Sequence, residues 1–397
     1  MDRFKQAQTI MHKFAISTGL SPVGATHSGS HRYLWTDAFA VCNYLGFYRQ
    51  SAQPIWLQRA KDLVDQVHQT LGQHRPQSTH HGWLSGLDED QARCHPTRGG
   101  LRIGKALDES QLHEPINETL QWQQDGQYFH YLTKWMHALN CLSRVSGEVI
   151  YNQWAIELAK VAHRAFVHTL RDGTKRIYWK MSIDLSRPLV ASMGQHDPLD
   201  GLLTYLQLHQ AATQQPNNLS QPRLDSEIAD MLAICAEHNW VSDDALGIGG
   251  LLADAFKLLQ ISDQHPGDHS VRLAGLLDDI EYSLHAFLGH NSLAHSAEHR
   301  LAFRELGLAI GLQAINKMQH HIKQNPAHFA GKSPLPGLLT KLAVFEPIHT
   351  RIESFWLSPQ HQKPNSWLDH SDINNVMLAT SLLPDGYLQL SQAGQLT

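Results

Sequence analysis

The sequence predicts an all-α protein, an (α/α)6 toroid of six inner and six outer helices, with an ordinary helical bundle or solenoid as the competing architecture. Three observations lead to that class. Almost every long segment repeats apolar residues at i, i+3, i+4 and i+7, the helical period, while alternating strand patterns are scarce. Segments that are apolar all round alternate with amphipathic ones; the first kind is expected to be buried and the second to face water. Each of the six apolar segments also begins with a polar stretch, near residues 31, 127, 195, 242, 297 and 369. In a toroid the inner helices all run the same way, so their positive N-terminal ends and polar openings share one end of the molecule.

The elements follow in order. Residues 1–18 are an amphipathic helix, closed by Gly19 and Pro22, that serves as the sixth outer helix. Residues 31–50 form the first inner helix and 54–71 its outer partner. A polar connection over 72–126 is rich in Gly, His, Asp and Pro; connections of that length are often functional, and this one is expected to act as a lid. Residues 127–145 and 148–170 are the second pair, and Tyr178 to Ile183 is the best strand candidate. Asp197-Pro198 then starts the third inner helix, 197–212. Asp can accept from the open N–H groups of a first turn, Pro suits the first helical position, and Asp200 suits the positive helix end. Residues 224–239 are amphipathic, 242–259 apolar, 269–288 amphipathic, 297–317 apolar, 334–355 amphipathic and 369–383 apolar. Gly247, Gly249, Gly250, Gly307 and Gly311 fit close approach of inner helices. The whole chain, 1–397, is expected to be a single domain.

Composition narrows the function classes. Hydrophobic residues make up 42% and charged residues 17%, which supplies ample core. A net charge of −5 carries no polyanion footprint, so nucleic acid is not an expected partner. No apolar run reaches membrane-spanning length, and the N-terminus lacks a continuous apolar leader, so a cytoplasmic protein without a membrane partner is expected. Cys42, Cys94, Cys141 and Cys235 form no C-x-x-C pair; Cys42, Cys141 and Cys235 read as small buried hydrophobes, all four reduced. The 28 histidines are a compositional bias that weakens every histidine motif. A homo-oligomer is compatible with the sequence.

The six openings hold the candidate chemistry. The catalytic candidates are His130, His196, Asp197, Asp244 and His299. The candidates for substrate binding are Arg32, Tyr33, Trp35, Asp37, Tyr128, Lys134, Arg300, Arg304 and His370. Aromatic rings stack on sugar faces, and carboxylates bind hydroxyls. Two histidines, His130 and His196 foremost, can move a proton on and off a carbon next to a carbonyl. Paired carboxylates can instead hydrolyse a glycosidic bond. The competing role of each acid is helix capping.

Three motifs carry less. His295-Ser296-Ala297-Glu298-His299 matches the inverted zinc-peptidase pattern, but no third ligand stands out and no metal is expected there. Gly99 to Lys105 fits the phosphate-loop spacing, yet Ala106 stands where Ser or Thr should hold magnesium. Arg98, Arg102 and Lys105 can still serve an anion, against a plain surface loop as the alternative. Gly247-x-Gly249-Gly250 lies in an apolar helix and reads as packing, and no dinucleotide fingerprint occurs, so no cofactor is expected.

Two local patterns add to the alternation. The first inner helix contains Trp35-Thr36-Asp37-Ala38-Phe39, and the third opens Gly194-Gln195-His196-Asp197-Pro198-Leu199-Asp200. On these the chain resembles the six-hairpin toroid superfamily, most nearly its N-acylglucosamine 2-epimerase and cellobiose epimerase branch. The first pattern is similar to the W-x-x-A-R of that branch, with Phe39 where an arginine would bind or polarise the sugar. The second is similar to its G-H-x-x-E turn, in which a catalytic His precedes an acid; here one extra residue separates Gly194 from His196, and the acid is shifted. The resemblance implies the toroid fold and a carbohydrate pocket.

The expected function is a carbohydrate-active enzyme, an epimerase or isomerase using paired histidines. The alternatives are glycoside hydrolysis by paired carboxylates, a non-catalytic sugar-binding protein on the same toroid, and a metal-dependent hydrolase around His295 and His299.

Overall fold

A computed structural model describes residues 2–20, 31–78, 80–109, 122–214, 223–236, 238–262, 269–326 and 334–390. The predicted turn at 214–222 lies outside them except for residue 214. The chain forms two compact units, one of Ala15–Glu237 and one of Met1–Phe14 with His238–Ser391.

In the Ala15–Glu237 unit the buried helices are α2 (Leu34–Ser51), α5 (Phe129–Ser146) and α7 (Asp197–Thr213). Their companions are α3 (Pro54–Leu71), α6 (Ile150–Phe166) and α8 (Asp225–Cys235). The contrast the sequence showed is physical: α2 buries Leu34 through Leu45 without a break, whereas α3 buries one stripe, Trp56, Ala60, Leu63, Val64, Val67, His68 and Leu71. Five short strands lie around the inner-helix openings. Strand β1 (Gln127–Tyr128) pairs antiparallel with β4 (Lys180–Met181), which pairs with β5 (Pro188–Val190); β2 (Val167–Thr169) pairs with β3 (Lys175–Ile177). The predicted strand at 178–183 is thus real but two residues long. The predicted helix 148–170 ends at Phe166, where Val167 and Thr169 enter a ladder instead.

The 72–126 connection is more ordered than a polar loop. It contains helix α4 (Glu89–Cys94), capped by Asp88, whose side chain accepts from the Gln91 N–H at 2.9 Å. Leu101 and Ile103 are fully buried. Arg102 pairs with Asp125 at 2.6 Å and donates to the Gln73 and Thr70 carbonyls, so it is spent on the fold and is no anion ligand. Gly104 has φ +94°, and a Cβ there would lie 2.1 Å from the Arg32 carbonyl; this glycine serves a tight crossing, not a phosphate.

His68 of α3 is fully buried and accepts from Trp135 Nε1 at 3.1 Å. Burial pushes its pKa down to about 3. The unfolded chain therefore takes up a proton that the fold refuses, between about pH 6.5 and that depressed value. Stability is expected to fall as pH drops through this window, by up to about tenfold in the folding equilibrium per unit. His68→Gln keeps an acceptor for Trp135 and should flatten that acid limb in urea unfolding series at several pH values.

In the other unit the buried helices are α9 (Ala245–Ser262), α11 (Ala302–Gln324) and α15 (Ser371–Leu382). The flanking elements are α10 (His269–Gly289), α12 (Leu335–Leu342) and α13 (Ile348–Leu357), with short helices α14 (Asn365–Leu368) and α16 (Asp385–Leu388). The predicted single segment 334–355 is split in two because Pro347 disfavours helix at the residue before it and lacks an N–H of its own. Helix α1 (Arg3–Ser17) supplies the expected additional outer element: Arg3 pairs with Glu353 and donates to the Ser381 and Leu382 carbonyls.

Helices α9 and α11 meet backbone to backbone. A Cβ on Gly249 would lie 2.2 Å from the Gly307 carbonyl oxygen, and one on Gly311 would lie 2.4 Å from that of Gly249. Gly250 has nothing within 4 Å of such a Cβ, so its expected packing role is withdrawn. Gly249→Ala is expected to cost about 1–3 kcal/mol by overpacking, read as a lower urea midpoint.

Candidate active site

The openings of α2, α5 and α7 bring several predicted residues together. Buried Arg32 and Asp37 face each other at 3.4 Å. Arg32 also donates to the Thr18 carbonyl at 2.8 Å, while Asp37 accepts from the Tyr33 N–H at 3.0 Å. Both were expected to bind substrate; with exposures of 2% and 1% they instead position Tyr33. The Tyr33 hydroxyl lies 2.7 Å from that of Tyr131. Trp35 packs on Phe39 at 4.5 Å and lies 6.5 Å from Tyr131. Phe39 thus contributes an apolar contact where the resembling branch has a guanidinium.

His130 stands in the second opening. Strand pairing of β1 with β4 carries Trp179 alongside it, and Trp179 Nε1 donates to His130 Nδ1 at 3.1 Å. An indole can only donate, so Nδ1 carries the lone pair and the neutral ring has its proton on Nε2. Asp197 Oδ2 is 3.7 Å from the same Nδ1, buried, and without a hydrogen-bond partner among the described residues. Protonation of His130 at Nδ1 would turn that atom from acceptor for Trp179 into donor toward Asp197.

Asp197 does not cap its helix. His196 occupies the cap position without a side-chain cap bond, and Asp197 lies in the first turn, its carboxylate packed against Gly194. Asp200 is buried and held by Lys134 at 2.7 Å and by the Thr133 hydroxyl. His196 is half-buried, and the His130 ring contacts Tyr128, Tyr131 and Trp179.

Aromatic rings surround this group. Tyr128 lies 5.3 Å from His130 and 5.1 Å from Tyr131. Trp122, half exposed, meets Trp179 edge-on at 4.6 Å. Burial raises the Tyr33 hydroxyl above the usual phenol range and those of Tyr128 and Tyr131 well above it, so all three stay neutral. Lys180 lies over the Tyr128 ring, and burial, with Lys105 nearby, pushes its pKa down to about 8. Trp179, Thr133, Trp122 and Lys180 were not among the expected site residues. The one sequence signal was the aromatic strand candidate that contains Trp179.

The other unit uses its predicted residues differently. Asp244 Oδ2 accepts from the Gly247 N–H at 2.9 Å, the capping alternative, and its other oxygen pairs with Arg304. Arg300 is 4% exposed, doubly bonded to Glu305 and stacked on Phe355 at 3.7 Å; it belongs to the scaffold, not to a substrate. His299 is exposed in a 3-10 turn, Ala297–His299, separate from the turn Ser292–Ala294 that precedes His295. The zinc-peptidase pattern is therefore not on one helix. His370 is exposed, edge-on to Phe303 at 5.6 Å. No described helix is long and apolar enough to cross a membrane.

No family model matches the chain, and no curated protein does. Solved structures do. A GH76 α-mannanase of Bacteroides thetaiotaomicron superposes with TM-score 0.55 at 10% identity, over 97% of this chain and 96% of its own. The GH76A α-1,6-mannanase of Salegentibacter sp. HEL1_6 gives 0.51 at 10% identity, covering 98% and 100%. The cellobiose 2-epimerase of Spirochaeta thermophila DSM 6192 gives 0.50 at 12% identity, covering 96% and 97%. The fold is the (α/α)6 toroid, as the alternation of helices predicted.

Proposed function

We propose that this toroid protein is a carbohydrate-active enzyme that epimerises or isomerises a sugar at the opening of α2, α5 and α7. The observation that carries the reading is His130, fixed by Trp179 and set 3.7 Å from the unpartnered Asp197 oxygen. An open-chain aldose has an acidic C–H beside its carbonyl. A base that takes this proton leaves an enediolate. The proton's return to the opposite face inverts the carbon, and its return to the neighbouring carbon gives the ketose. In the proposal His130, protonated at Nδ1 from solvent with Asp197 stabilising the imidazolium, delivers the proton from Nε2, and His196, next in sequence to Asp197, is the base that removes it. Tyr33, Tyr131 and Trp179, all half-buried, offer faces and hydroxyls to the sugar. The 72–126 connection supplies Trp122 beside Trp179 and Lys105 near Tyr128, which supports a covering role for it.

Hydrolysis is the second reading, favoured by the fold likeness to two mannanases. It needs two carboxyl groups flanking the bond. Asp200, one helical turn from Asp197, is already engaged by Lys134 and Thr133, and on that ground we rank hydrolysis second. The test is a panel of aldoses, ketoses, disaccharides and α-1,6-linked mannose oligomers, followed through their anomeric proton signals. An epimer or ketose signal is expected. Release of shorter sugars would establish hydrolysis instead, and binding without turnover would establish a binding protein.

A further inference from the structure

The Ala15–Glu237 unit also holds a cluster that the proposed reaction does not use. Cys42 on α2 and His137 and Cys141 on α5 are all buried, with exposures of 1%, 2% and 0%. Residues i and i+4 share a helix face, so His137 and Cys141 stack one turn apart. One ligand atom from each of the three residues lies within 4.8 Å of the others. His137 Nε2 is 3.5 Å from Cys141 Sγ. A metal about 2.3 Å from sulfur and about 2.0–2.1 Å from nitrogen asks for ligand atoms roughly 3.5–4 Å apart.

A chain of hydrogen bonds fixes which imidazole nitrogen faces the sulfurs. Arg144 Nε donates to Asn140 Oδ1 at 2.8 Å, and a guanidinium never accepts. Asn140 Oδ1 is therefore the oxygen, and Gln207 Nε2 donates to it at 2.7 Å. From its other side Asn140 Nδ2 donates to Asn152 Oδ1, and Asn152 Nδ2 to the Leu208 carbonyl, in the same sense. Gln207 is thus turned so that its Oε1 meets His137 Nδ1 at 2.9 Å. Nδ1 must carry the hydrogen, and Nε2 keeps its lone pair toward Cys141. Metal-binding histidines are oriented by this kind of outer hydrogen bond.

We propose that Cys42, His137 and Cys141 form a buried three-ligand site for a thiophilic d10 metal ion, zinc(II) or copper(I). Two thiolates and an imidazole are the soft donor set that selects such ions. Nothing in this site is accessible to a sugar, so the ion serves the core and enters as the chain folds.

The test expresses the untagged full chain in medium supplemented with zinc, copper or cobalt, and measures metal per chain and the absorption spectrum. One equivalent is expected to survive gel filtration in a weak chelator. The cobalt protein is expected to show the near-ultraviolet thiolate-to-metal band. Cys42→Ser and Cys141→Ser should lose that band. Gln207→Leu should keep it, yet release the metal to a competing chelator about 10- to 100-fold more readily. Competition between zinc and copper identifies the preferred ion, and retention of either supports the site. Should the serine variants fail to fold, the wild-type cobalt spectrum decides alone. Less than a tenth of an equivalent of every metal would overturn the proposal. So would one equivalent bound without the thiolate band, since exposed histidines would then be the ligands.

Discussion

His130→Ala is expected to lower sugar turnover by about 100- to 10,000-fold, the usual contribution of a positioned acid or base. The loss should appear in kcat with the folded state retained, because the side chain is about a quarter exposed and its removal opens little buried space. Asp197→Asn should produce a smaller loss, since it removes the charge that stabilises the imidazolium while leaving His130 to accept from Trp179. Trp179→Phe separates positioning from chemistry. It removes the donor to Nδ1 and keeps a ring, so the pH profile of kcat should move while a residual rate persists. If Trp179→Phe left the profile in place, the tautomer argument for His130 would be wrong. Activity assays with thermal melts on the same preparations check all three variants.

Arg300→Met is expected to cost about 3–5 kcal/mol of stability, the largest single effect outside the candidate site. Glu305 is 5% exposed and receives both Arg300 and Trp356 Nε1, the latter at 2.8 Å. Removing the guanidinium leaves a buried carboxylate with one neutral donor and also strips the stacking on Phe355. Glu305→Gln together with Arg300→Met should recover part of the loss, because a neutral amide is cheaper to bury than a charge. Urea unfolding of the single and double variants measures the difference. A cost below about 1 kcal/mol would place the pair among weak surface bridges instead.

The fold was legible because burial writes a period into the sequence. The continuous apolar body of α2 against the single stripe of α3 needs no tertiary knowledge to read. Short elements were not legible: β1 and β4 are each two residues long, below any periodic signal, and they are stable only because each borrows the other's backbone. That pairing is also what sets Trp179 beside His130, so the most informative contact of the site was hidden by the same cause. Charged residues at helix openings misled in a consistent way. Arg32, Asp37 and Arg300 looked like ligands because charge at an opening suggests a site. The fold had already paired each of them within five residues along the chain. His130 and Asp197 were readable as a histidine and an acid at neighbouring openings. Whether an acid caps its helix depends on one backbone turn, and at Asp197 that turn put His196 in the cap position.

The central claim is that His130 moves a proton on a sugar carbon. Incubation of the wild-type protein in heavy water with sugars of the panel, followed by NMR, tests it directly. The account predicts solvent deuterium at the carbon next to the carbonyl, together with the epimer or ketose, and loss of both in His130→Ala. Epimer formed without deuterium, or deuterium incorporated at the wild-type rate by His130→Ala, would contradict it.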